Sequence, residues 1–152
     1  MLTSKNKRLE KALQLLERLA TESKGGTPII VEGRKDVAAL HKLGVTGDMI
    51  LAKTSRRSFL DVVNEGKNRG KPEIIILMDF DRRGREGTKR LTQNFERMRI
   101  KTNLLFWNEL RGLVGRNVKD IEGLARYIET LKNKKIDIYK RKQIKQKCHC
   151  II

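Results

Sequence analysis

The chain has 152 residues, with 35 Lys and Arg against 18 Asp and Glu, a formal charge of +17. That length suits one domain with a helix or tail to spare, and so large a basic excess favours a polyanionic partner, nucleic acid before an anionic membrane surface. The longest apolar stretch, Ile74–Met78, falls far short of the roughly 20 residues of a membrane span, the Lys-rich start lacks a signal-peptide core, and Cys148 and Cys150 cannot frame a disulfide scaffold, so a cytoplasmic setting is expected.

Residues 4–23 carry Leu9, Ala12, Leu13, Leu16, Leu19 and Ala20 at helical spacing among Lys, Arg and Glu. Gly25-Gly26-Thr27-Pro28 ends that helix. Ile29-Ile30-Val31 reads as a buried strand, followed by Glu32-Gly33 and a helix over residues 35–43 with Gly44 at its C-terminus. Met49–Ala52 is a second strand. Thr54 or Ser55 then caps a helix through Phe59, Leu60, Val62 and Val63, which Gly66 ends. Gly70-Lys71-Pro72 turns the chain into its strongest strand, Ile74–Met78, which runs into Asp79-Phe80-Asp81. A helix over 85–98 and a strand over 100–106 follow, then a helix over 118–131. Residues 132–147 hold eight Lys and Arg against one Asp. The fold class is therefore α/β: a compact four-stranded, mainly parallel sheet flanked by helices, with an extra N-terminal helix and a basic C-terminal tail. Its divisions are residues 1–26, 27–108, 109–131 and 132–152. Cys148-His149-Cys150 is a weak match to zinc spacing and reads as an inert tail.

Carboxylates stand where two apolar strands stop. Glu32 follows the first, and Asp79 and Asp81 lie 47 and 49 residues further on, after the third. In a parallel sheet all strand C-termini share one edge, where ligands bind. Three acids there repel one another, and a divalent cation relieves them. Oxygen-only donors point to one or two Mg²⁺, with Mn²⁺ as a substitute. Alternate residues of a strand share a face, so Asp79 and Asp81 are expected side by side. Gly33 and Gly84 are expected to let the backbone turn and a ligand approach. Each acid also has a plainer reading, as a helix-start or turn residue. It is the pairing of the two sites in a βαβ pattern that favours function.

The segment Ile30-Val31-Glu32-Gly33-Arg34-Lys35-Asp36-Val37-Ala38-Ala39-Leu40 resembles the first motif of the Toprim domain. Ile76-Leu77-Met78-Asp79-Phe80-Asp81-Arg82-Arg83-Gly84 resembles its second, Asp-x-Asp-x-x-Gly. The likeness covers about residues 27–108. It is nearest to small stand-alone archaeal-type Toprim proteins related to the ribonuclease that matures 5S ribosomal RNA, and residues 112–124 (GLVGRNVKDIEGL) extend it loosely. The resemblance implies Glu32 as a general acid/base or metal ligand, and Asp79 and Asp81 as the acidic pair that holds Mg²⁺. All three are thus candidate catalytic and metal-binding residues. Topoisomerases carry an acid directly after the glycine. Here that position is Arg85, with Glu86 one step on, which argues against strand passage.

Arg34, Lys35, Lys53, Arg56, Arg57, Arg82, Arg83 and Arg85 fall in loops or first turns after the strands, on the edge the acids occupy. They are candidate nucleic-acid-binding residues, the arginines offering bidentate phosphate contacts. Thr54 and Ser55 would add donors at a helix start. Trp107, Tyr127 and Tyr139 read as packing or surface residues. The expected function is Mg²⁺-dependent phosphoryl transfer on nucleic acid, RNA before DNA, by a nuclease acting on structured RNA. The alternative is a non-catalytic binding module of an RNA-processing or ribosomal complex, with protein partners met through the N-terminal helix. No membrane role is expected.

Overall fold

A computed structural model describes residues 4–53 and 56–134. Thr54, Ser55 and the tail from 135 onward, including Tyr139 and Cys148-His149-Cys150, lie outside the described residues. In chain order the elements are α1 (Ser4–Lys24), β1 (Ile29–Val31), α2 (Arg34–Lys42), β2 (Met49–Leu51), α3 (Phe59–Asn68), β3 (Glu73–Ile76), α4 (Arg82–Arg97), β4 (Lys101–Asn103) and α5 (Leu105–Val114). A sixth helix, α6, covers residues 121–134 of the described chain.

The four strands form one sheet in the order β2-β1-β3-β4, every pair parallel. β1 and β3 are buried on both faces, which is why they read as unbroken β-branched runs. Their side chains divide by parity. Ile29, Val31, Ile75 and Leu77 enter one core with α1, α2, α5 and α6. Ile30, Ile74, Ile76 and Met78 enter the other with Val62 and Val63 of α3 and Leu91 and Phe95 of α4. The apolar stripe of α1, Leu9 through Leu19, is used within the chain, where α1 packs along α5.

The α/β architecture agrees with the pattern read from the sequence, and three local expectations do not. The last strand ends at Asn103, and α5 begins two residues later. Phe106, Trp107, Leu110 and Val114 are buried at helical spacing, and the preceding apolar residues masked that period. Gly66 does not end α3, which runs to Asn68. It is a contact glycine: a Cβ there would lie 2.6 Å from Phe95 Cζ, so its bareness lets α3 close on α4. The cap of α3 is Ser58, whose hydroxyl accepts from Asp61 N–H at 3.2 Å while the Asp61 carboxylate accepts from Ser58 N–H at 2.9 Å. Gly44 does close α2. Its φ of +89° is the left-handed region, and Val45 N–H then reaches the Leu40 carbonyl at 2.9 Å.

Gly66→Ala tests the α3–α4 contact. The added methyl must displace a fully buried ring, and the expected cost is about 1–3 kcal/mol in urea unfolding with the m-value unchanged. An unmoved midpoint would mean the two helices are not held at that distance.

Candidate functional site

The sheet order places β1 beside β3, and the chain leaves them in opposite directions. α2 follows β1 into one core and α4 follows β3 into the other. Such a divergence opens a crevice at the C-terminal edge. Glu32 stands at its β1 side, only 6% exposed. Pairing of β1 with β2 runs one residue past the strands, Lys53 N–H donating to the Glu32 carbonyl at 2.8 Å. This seats the Lys53 ammonium 3.0 Å from Glu32 Oε2, an ion pair outside hydrogen-bonding alignment. Asp79 stands at the β3 side. Its Oδ1 is buried and no hydrogen bond reaches it.

Glu32 and Asp79 do meet, and they are joined by acids the sequence reading passed over. Asp36, Asp120 and Glu122 line the same cavity, about 310 Å³ in volume, with Arg34, Lys35 and Lys53 among its walls. Asp36 is 7% exposed and its Oδ2 accepts from Gly33 N–H at 3.1 Å, capping α2. Asp120 caps α6, its Oδ1 accepting from Gly123 N–H at 2.6 Å. Burial raises the Asp36 pKa, the Gly33 amide opposes that, and the charges of Asp120 and Glu32 add to it. Asp79 is pushed up to about 7, by burial first and then by Glu32, Asp36, Asp81 and Asp120. A signal existed for two of the three missed acids, Asp36 and Asp120. Each precedes or opens an apolar helical pattern, but that is also the signature of an ordinary cap.

Asp81 is placed differently from its expected partnership with Asp79. The β3 ladder ends at Ile76, so strand alternation no longer governs residues 79–81. Asp81 is exposed and is the N-cap of α4, its Oδ1 accepting from Gly84 N–H at 2.7 Å. Its charge reaches Asp79, but its side chain is not among the walls of the cavity. Gly84 is needed for a reason internal to the fold. A Cβ there would overlap the Asp79 carbonyl, so only glycine lets α4 start so close to the acid loop. Gly33, with φ −155° and open space where a methyl would lie, carries no such requirement.

That loop is pinned from two sides. Trp107, 5% exposed, donates its indole N–H to the Met78 carbonyl at 3.0 Å. Phe80 N–H donates to the Lys119 carbonyl at 2.7 Å. Of the cations, Arg34, Lys35, Arg56, Arg83 and Arg85 are exposed; Arg34 and Lys35 line the acidic cavity, and Arg83 lines a second cavity that Glu32 and Lys53 also line. Arg82 is exposed and pairs with Glu86 at 3.2 Å. Arg57 is turned inward, donating to the Leu51 carbonyl at 3.1 Å and pairing with Glu65.

The donor set suits a hard cation. It is carboxylate oxygen throughout, and one buried oxygen on each of Glu32 and Asp79 lacks a hydrogen bond. Among the described residues no three His, Cys, Asp or Glu side chains stand close enough to hold an ion by themselves. Mg²⁺ typically takes one or two carboxylates and completes its shell with water and phosphate oxygens.

Residues 27–105 match the Toprim domain. The chain is 38% identical over 128 residues to a UPF0292 protein of Methanosarcina acetivorans, covering 84% of this chain and 87% of that one. It is 38% identical over 120 residues to a UPF0292 protein of Methanocaldococcus jannaschii, covering 78% and 91%. A solved structure of a protein from Aquifex aeolicus superposes with a TM-score of 0.58 at 24% identity, over 72% of this chain and 94% of that one, and so shares the fold. The chain belongs to the Toprim domain family, alongside the archaeal UPF0292 proteins. Toprim domains typically bind Mg²⁺ and act on nucleic acid. No helix among the described residues is long and apolar enough to cross a membrane.

The acids make stability depend on pH in a definite direction. With chelator present, native Asp79 keeps a proton between about pH 4 and pH 7 that the unfolded chain has released. The native state binds more protons in that window, so stability falls as pH rises through it and levels off above. Asp79→Asn is expected to flatten this slope. It should raise stability at pH 8 by about 1–2 kcal/mol, a figure discounted for the partial exposure of the carboxylate. Urea midpoints at pH 5 and pH 8 measure it, and a variant that keeps the wild-type slope would show that Asp79 is not the group responsible.

Proposed function

We propose that this chain is a Mg²⁺-dependent nuclease acting on structured RNA. The observation that carries the reading is the pair of buried carboxylate oxygens on Glu32 and Asp79 that no hydrogen bond reaches, at a crevice rimmed by arginine and lysine. The Glu32 oxygen already faces the Lys53 ammonium at 3.0 Å, so the oxygen left without such a partner is Asp79 Oδ1; leaving it so costs folding free energy, and a cation suits its charge and chemistry. Asp79 would hold it, with Asp81 acting on it from the cap of α4, and Glu32 is left to handle the proton. When bound, Mg²⁺ supplies Lewis-acid polarisation of a phosphate and neutralises the charge of the acids.

The rest is done by the chain itself. Arg34, Lys35, Arg83 and Arg85, exposed in the first turns of α2 and α4 that follow the acids in sequence, would position phosphate oxygens and keep the scissile group at the lip. The N-termini of α2 and α4 open on the same edge and present backbone N–H groups and positive dipole ends to an anion. Lys53, whose side chain is 61% exposed, stands between the acid it pairs with and the solvent a substrate must cross. Glu32, freed from Lys53 as phosphate binds, accepts the proton of an attacking water whose oxygen bonds to phosphorus as the P–O bond to the leaving strand breaks, and solvent water protonates the departing oxygen. RNA is favoured over DNA because the sequence likeness runs to a ribosomal RNA-maturing ribonuclease. Cytoplasmic work on RNA fits that reading.

One observation favours the binding-only alternative: no three acids among the described residues close around an ion, and Lys53 already neutralises Glu32. An end-labelled structured RNA incubated with protein and Mg²⁺ separates the two. Asp79→Ala and Glu32→Gln are each expected to slow cleavage by about 100-fold or more while binding holds within about twofold. Tight binding by the wild type with no cleavage under Mg²⁺ or Mn²⁺ would leave a binding module. Replacing both Arg83 and Arg85 by Ala should instead weaken binding to all sequences alike. It should also lower the slope of log affinity against log salt by roughly 0.9 for each duplex phosphate that is no longer neutralised.

A further inference from the structure

The crevice has a second chamber that the proposed chemistry leaves unused. Between the end of β2 and the helices α3 and α4 lies a cavity of about 310 Å³, walled by Ala52, Phe59, Val62, Met78 and Leu91. Glu32 and Lys53 line both this cavity and the acidic one, so the two share a wall. The acidic chamber is polar and faces α2 and α6. The second is apolar and faces α3 and α4, with charge confined to Glu32, Lys53 and Arg83. An apolar concavity of this size with a few polar groups at one end is the usual form of a small-ligand site.

We infer that this cavity takes one unpaired nucleobase of the strand whose phosphate sits on the acids. The inference rests on the nucleic-acid reading of the neighbouring site. The walls want a flat body without obligatory charge, and the cations Lys53 and Arg83 want an anionic link beside it. A nucleotide within a strand has both. Phe59 contributes an aromatic ring to the wall, and the Arg90 guanidinium lies 4.0 Å from its centroid and holds it in place. Base-to-aromatic contact is sequence-tolerant, because every base has a π-face. Gly87 keeps the α4 wall bare: a Cβ there would come 3.3 Å from Met78 Cε. A base inside a continuous duplex cannot reach such a cavity without leaving its stack. The cavity therefore selects loops, bulges or strand ends next to the phosphate, which is where single strands offer their bases.

The test uses the full chain, Mn²⁺ in place of Mg²⁺ where a spectroscopic metal signal is needed, and a labelled RNA hairpin with an unpaired loop. A series of that hairpin carries one abasic nucleotide at each loop position in turn. Wild-type protein is expected to lose about tenfold in affinity at one loop position and little at the others. Gly87→Leu and Ala52→Leu fill the cavity from its two sides. Each is expected to lower affinity for the intact hairpin about tenfold and to bind intact and abasic forms equally. Mn²⁺ affinity and melting temperature should stay at wild-type values. If either variant does not fold, the abasic series on wild type decides alone. Equal affinity for every abasic hairpin would overturn the base-binding inference and leave the nucleic-acid reading standing. So would a free nucleoside monophosphate that fills the cavity while strand binding ignores abasic substitution. Failure to bind the hairpin at all would remove both.

Discussion

Everything at this site depends on β1 pairing directly with β3. These two strands are hydrogen-bonded neighbours, yet the chain leaves them toward opposite cores. Their first residues past the ladder are therefore held close, and the helices that follow are carried apart. The result is a cleft floored by Glu32 and Asp79 that no single element could build. It is electrostatically unfavourable as it stands. Burial and mutual repulsion of carboxylates raise the pKa of Asp79 and Asp36; the Gly33 amide opposes the shift at Asp36, and the Lys53 ammonium pairs with Glu32.

The cleft is stiffened by parts of the chain distant in sequence. Trp107 of α5 holds the Met78 carbonyl, and the Lys119 carbonyl holds the Phe80 amide. Gly84 lets α4 begin against the Asp79 backbone. The segment after β4 is thus part of the site's construction: its two hydrogen bonds fix the acid loop, and Asp120 and Glu122 extend the acidic wall. An acid loop held by two hydrogen bonds from a distant segment keeps its carboxylate placed, the kind of preorganisation that the proposed phosphoryl transfer would need.

Charge acts on two scales. The whole chain carries +17, which draws polyanions from a distance and weakens with salt. Within a few ångströms of the cleft floor the sign reverses, because five acids line one cavity. A polyanion attracted by the first field meets the second only at the lip. Under the proposed function the arginines would bridge that change of sign there, and a divalent cation would remove it. On the base-binding inference, the apolar chamber next door would add a non-electrostatic preference at the same lip. Affinity and selectivity can therefore be set by different residues of one crevice.

Local pattern was enough for much of this. Unbroken β-branched runs declared β1 and β3, turn residues separated the helices, and acids ending two such runs marked Glu32 and Asp79. These features are legible because strand burial and helix period are written in neighbouring residues. Other features were not. α5 hid behind apolar residues continuous with β4, and Gly66 looked like a helix stop when it is a contact with Phe95. Arg57 looked like its neighbours, yet it pairs inward with Glu65. Asp36 and Asp120 fell unremarked within expected helices; they cap α2 and α6, and only the packing of those helices beside β1 and β3 makes them neighbours of Asp79 as well. A residue's own helix or strand is decided by the few residues around it. Which distant charge it must live beside is decided by how whole elements pack, and no local window contains that.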